Sequence, residues 1–98
     1  MEEMFNGCNE LKAIKGINNF NTTDVTTMKA MFQECKSLEY LDLSNFDTSN
    51  VTDMERMFKK CEKLKEIKGI YNFNMEKVAK KEEMFKECNE LENYELFN

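Results

Sequence analysis

The pattern Met-Phe-x-x-Cys-x-x-Leu occurs four times in this chain, at Met4–Leu11, Met31–Leu38, Met57–Leu64 and Met84–Leu91. Its phenylalanines stand at 5, 32, 58 and 85, so the steps between them are 27, 26 and 27 residues. A period of this length marks a chain made of one supersecondary unit. Such a unit is too small to bury an apolar face alone and becomes stable only when neighbours stack on it. The repeat therefore constrains the architecture before any local propensity is consulted. Residues 1–98 read as a single repeat domain, with units at about 1–24, 25–50, 51–77 and 78–98.

The two halves of a unit have different periods. Val51, Met54, Met57, Phe58, Cys61 and Leu64 are spaced by 3, 3, 1, 3 and 3, one apolar stripe along a helix. Thr52-x-x-Glu55 reads as a capping box before that stripe, and Asp53 suits the positive end of a helix. Leu41 and Leu43 alternate around Asp42 as in a short strand, and Asp47-Thr48-Ser49-Asn50 reads as the turn that follows. Units one and three carry Ile14-Lys15-Gly16-Ile17 and Ile67-Lys68-Gly69-Ile70 where unit two has Leu41-Asp42-Leu43. A glycine-containing bulge would absorb the added residue, and the natural building block becomes a 53-residue pair, as Cys8 to Cys61 shows. The expectation is an α/β fold: a right-handed leucine-rich-repeat solenoid of four helix–strand units with a short parallel sheet on one face. Met1 aligns with Met28 and Met54, and Asn98 with Asn19, Asn45 and Asn72, so neither terminus reads as a polar cap. Such ends predict a fragment of a longer array or end-to-end self-association.

Stacking turns equivalent residues into columns. Cys8, Cys35, Cys61 and Cys88 form one. A zinc site needs four converging ligands, usually with short spacings, and a straight column does not converge. Buried thiols acting as small apolar side chains are the preferred reading, with disulfides between neighbours disfavoured by parallel side-chain directions. The Met and Phe columns read as core. The column Asn19, Asn45, Asn72 and Asn98 reads either as side chains bonding a neighbour's backbone or as exposed turn residues. On the outer side of the strand, Lys15, Asp42, Lys68 and Glu95 alternate in sign, which sets unit against unit and mixes the charge on the open face. Tyr40, Tyr71 and Phe97 are the aromatics expected to face outward beside them. Outward aromatics serve either as interface anchors or as ordinary cross-strand packing. These seven residues are the candidate partner-binding set.

Composition removes several functions. A net charge of −5 with no basic stripe disfavours nucleic acid. The chain has no apolar run long enough for a membrane span and no signal-peptide pattern at its N-terminus. It has no His, no glycine-rich phosphate loop, no nucleophile elbow and no metal-ligand cluster, so no enzyme, cofactor or metal site is expected.

Leu38-x-x-Leu-Asp-Leu-Ser-Asn-Phe-Asp-Thr-Ser-Asn-Val-Thr-Asp-Met-x-x-Met-Phe-x-x-Cys61 closely resembles the BspA-type surface leucine-rich repeat, found in mycoplasma-type surface lipoproteins and other bacterial and protist surface proteins. The likeness spans essentially the whole chain. Unit two matches best. Unit four departs most, with Lys81 in place of a methionine and Met75-Glu76-Lys77 before it in place of Thr-Ser-Asn. The resemblance implies a cell-surface or extracellular, non-catalytic module for protein–protein or adhesive contact, with a protein or glycan ligand. The alternative is a passive spacer within a longer surface protein. Fold alone does not choose between them.

Overall fold

A computed structural model describes residues 1–92. It overturns the expected solenoid of four helix–strand units. Among the described residues there is no α-helix; the regular elements are two short 3-10 turns, Ile17–Asn19 and Ile70–Asn72, and a two-stranded parallel sheet of β1, Tyr40–Asp42, and β2, Glu66–Lys68. Tyr40 lies beside Glu66, Leu41 beside Ile67 and Asp42 beside Lys68.

The segment read as helix is a succession of tight turns. In unit two, the N–H groups of Met31, Gln33, Cys35 and Leu38 donate to the carbonyls three residues before them, Met28, Ala30, Phe32 and Cys35. The alternate N–H groups, of Met28, Ala30, Phe32 and Glu34, leave the unit altogether. They donate to Asp53, Glu55, Met57 and Lys59 of unit three at 2.9, 2.8, 2.8 and 2.7 Å. Units one and three do the same to units two and four, as in Phe5 N–H to Met31 and Phe58 N–H to Met84. An α-helix spends its N–H groups within itself; this segment sends about half of them to a neighbour. An apolar spacing of three and four fits both, which is why the stripe alone did not separate them.

Left-handed residues permit that geometry. Two columns have positive φ: Glu3, Ala30, Arg56 and Glu83 in one, and Gly7, Glu34, Lys60 and Glu87 in the other. Each non-glycine residue there costs about 1–2 kcal/mol. The hydrogen bonds across the junctions offset that cost at roughly 0.5–1.5 kcal/mol each, and the side-chain columns add to them. Lys60→Gly is expected to raise stability by up to about 1 kcal/mol, since it relieves the left-handed β-carbon at φ 63°. In an exposed α-helix the same change would cost about 1 kcal/mol. Urea denaturation reads the sign, and a loss of stability would refute the turn geometry.

The capping box also dissolves. Thr52 Oγ1 donates to Thr26 O, and it is Asp53 Oδ1 that accepts the N–H of Glu55. The added glycine makes no bulge within β1 or β2. Gly16 and Gly69, at φ 78° and 88°, instead turn the chain into the two 3-10 turns.

The core is a set of columns running through the stack. Met28 and Met54, Met31, Met57 and Met84, Leu38, Leu64 and Leu91, and Leu41 and Ile67 are buried. The rings of Phe5, Phe32, Phe58 and Phe85 are nearly parallel, with successive centroids 5.6, 5.6 and 5.4 Å apart.

Candidate functional site

The outer face of β1 and β2 carries three of the residues that the sequence singled out, Tyr40, Asp42 and Lys68, and Tyr71 follows in the 3-10 turn after β2. Leu41 and Ile67 point into the core, which turns Tyr40, Asp42, Glu66 and Lys68 outward. Tyr40 is 55% exposed and Tyr71 60% exposed. Lys15 is exposed as well. Glu95 and Phe97, and with them Asn98 of the asparagine column, lie outside the described residues.

The charges on this face are only partly spent on each other. Asp42 accepts from the Ser44 N–H at 3.0 Å, from the Ser44 hydroxyl, and from Asn18 Nδ2 at 3.1 Å. The Ser44 hydroxyl and N–H hold its carboxyl below the usual carboxylate range, with a smaller contribution from Lys68. Among the described residues no ion pair joins Asp42 to Lys68; the ion pairs lie in other columns. Lys29 meets Glu55 at 3.5 Å and Lys65 meets Glu39 at 3.7 Å. Glu83 gathers Lys59 at 2.8 Å, Arg56 at 3.4 Å and Lys86 at 3.6 Å, and the Lys59 ammonium above all holds its carboxyl down at about 2. Exposed pairs of this kind contribute little to stability, because solvent and salt screen them.

Two polar columns were missed by the sequence reading. Thr22 and Thr48 are buried, and each hydroxyl bridges to the next unit. Thr22 Oγ1 donates to Asp47 O at 3.2 Å and accepts Asp47 N–H at 2.8 Å; Thr48 Oγ1 does the same with Asn74 at 3.3 and 2.7 Å. The carboxyl or amide at 21, 47 and 74 caps the following turn: Asn21 accepts Thr23 N–H, Asp47 accepts Ser49 N–H and Asn74 accepts Glu76 N–H. The signal was the recurrence of Asn-Thr at 21–22 and Asp-Thr at 47–48, one unit apart. Asn45, by contrast, bonds Asn18 O at 3.1 Å with its side chain exposed, so it combines both readings offered for that column.

The thiols form a structural column. Cys35, Cys61 and Cys88 donate to the carbonyls of Phe5, Phe32 and Phe58 in the preceding units at 3.2, 3.0 and 2.9 Å. All four cysteines are free. Burial pushes Cys35 up to about 11 and Cys88 up to about 12, and raises Cys61 as well. Thiolates react and thiols do not. In native protein at pH 8, a maleimide is therefore expected to label the half-buried Cys8 first. The other three should react only after unfolding, as intact-mass spectrometry reads. Rapid labelling of two or more sites would contradict the column. Among the described residues no cluster of three or more His, Cys, Asp or Glu is placed to hold a metal ion, and no helix is long and apolar enough to cross a membrane.

Hydrogen bonds and side-chain columns that run from unit to unit, with Tyr40 and Tyr71 exposed, define a tandem-repeat chain whose units pack on one another. The chain belongs to the family described as Mycoplasma protein of unknown function, DUF285, whose model matches residues 1–97. No curated protein and no solved structure shows a significant match to it.

Proposed function

We propose that the chain is a non-catalytic binding module of a cell-surface protein, and that it offers the outer face of β1 and β2 to a protein or glycan partner. The observation that carries this reading is the exposure of Tyr40 and Tyr71, while Phe32 and Phe58 of the same repeats are buried. Aromatics that could be buried but stand in solvent are the usual anchors of interfaces. The likeness of Leu38–Cys61 to BspA-type surface repeats, together with membership of a family described from Mycoplasma, supports the surface location.

A spacer is the competing reading. It is favoured by how many polar side chains, such as Thr22, Thr48 and Asp42, are committed to contacts within the stack. Substitution separates the two. Tyr40→Ala and Tyr71→Ala are expected to leave stability within about 0.5 kcal/mol. They should weaken adhesion of labelled protein to host cells or matrix by about tenfold or more. Adhesion unchanged in the double variant would favour the spacer.

A further inference from the structure

The outer face of β1 and β2 is complementary to itself. Register places Tyr40 beside Glu66 and Asp42 beside Lys68, all turned away from the core. Consider a second copy laid face to face on the first, related by a two-fold axis parallel to the strands and midway between β1 and β2. That rotation sets β1 of one copy over β2 of the other while keeping the strand direction. Asp42 then faces Lys68 of the second copy, and Tyr40 faces Glu66 of the second copy. Each contact occurs twice, as an isologous interface requires. A carboxylate meets an ammonium, and a phenol O–H meets a carboxylate acceptor. Had both positions of the column carried one sign, the same rotation would have set like charges together.

We propose that this face self-associates into a two-fold dimer, so that the partner offered the surface is a second copy of this chain. The inference rests on the reading of this face as a binding surface and adds the identity of the occupant. The charges are available for it. Lys68 is exposed and joins no ion pair among the described residues, and the hydrogen bonds to Asp42 from Ser44 and Asn18 orient its carboxylate without supplying a counter-charge. The overall dimensions, 29 × 28 × 21 Å, leave a lateral face at or below the standard interface of roughly 800 Å² per partner. The dimer is accordingly weak and is sought at high protein concentration.

Sedimentation equilibrium from about 10 μM to about 1 mM tests it. The unaltered chain is expected to dimerise across that range. Asp42→Lys alone and Lys68→Asp alone should each stay monomeric, with dimerisation weakened at least about tenfold. An equimolar mixture of those two variants should dimerise again, because each reversed charge then meets an opposite one on the other chain. No contact within a single chain can produce that rescue. Asp42→Asn retains acceptor capacity for Ser44 and serves if the reversal disturbs folding; it too must weaken the dimer. A monomeric native chain at every concentration, single variants that dimerise normally, or a mixture that stays monomeric would each overturn the proposal. If the native chain is monomeric yet adhesion still falls in the tyrosine variants, self-association fails and the wider binding reading stands.

Discussion

Gly69→Ala is expected to destabilise the chain by roughly 2–5 kcal/mol, whereas Gly16→Ala, in the same place one unit pair earlier, should cost about 1–2 kcal/mol. Both glycines have positive φ, at 78° and 88°, so both variants carry the left-handed penalty of a β-carbon. Only Gly69 also lies against another unit. A β-carbon there would stand 2.5 Å from Ser44 Cα, 2.8 Å from Ser44 N and 3.1 Å from the Leu43 carbonyl carbon. Those are backbone atoms that cannot swing aside, and they belong to the segment whose Leu43 N–H donates to Lys68 O at 2.9 Å. Relief would require separating units two and three where β1 and β2 pair. At Gly16 the nearest atom is the end of the Asn19 side chain at 3.9 Å, which makes ordinary contact. Urea midpoints of the two variants measure the difference. Equal losses would mean that units two and three do not approach this closely.

The comparison also explains the alternating repeat length. A 27-residue unit takes up its extra residue as a left-handed glycine that opens a 3-10 turn, and at Gly69 that turn also lies close against the shorter neighbour. The recurrence of the repeat, the buried columns of units two to four and the outward set Tyr40, Asp42 and Lys68 were legible, because stacking makes equivalent positions share an environment, but Met4 and Leu11 of unit one, read as core, are exposed. The nature of the first half of the unit was not. Met28, Met31, Phe32, Cys35 and Leu38 bury one stripe whether the backbone is helical or turns at each step. What decides is the left-handed residues, and here most of them are Ala, Glu, Arg and Lys, which give no local sign of it. Gly7 was the exception. It shares a column with Glu34, Lys60 and Glu87, and a glycine in the middle of an apolar stripe was the clue that the stripe is not a helix. The strands were legible in place but shorter than the alternation implied, since Leu43 follows β1 rather than belonging to it.

Phe58→Ala should be the most damaging single truncation in the core, at roughly 3–5 kcal/mol. Its ring is fully buried and sits between two others, 5.6 Å from Phe32 and 5.4 Å from Phe85, almost parallel to both. Losing it removes two ring contacts at about 0.5–1.5 kcal/mol each, together with the apolar area that the ring covers. Phe58 also supplies backbone to the junction with unit four twice: its N–H donates to Met84 O, and its carbonyl accepts the Cys88 thiol. A cavity beside these groups loosens the hydrogen bonds that hold unit three to unit four. In a stack held together by nearest-neighbour contacts, a fault in the middle uncouples the two sides. The variant should therefore show a lower urea midpoint and also a shallower transition, because the units no longer unfold together. Phe5→Ala is the control. That ring is half-buried and stacks on Phe32 at 5.6 Å, so its loss should cost clearly less and leave the steepness unchanged. If both variants lose equal stability with parallel transitions, the phenylalanine column does not couple the units, and the columns of Cys, Thr and backbone bonds hold the stack without it.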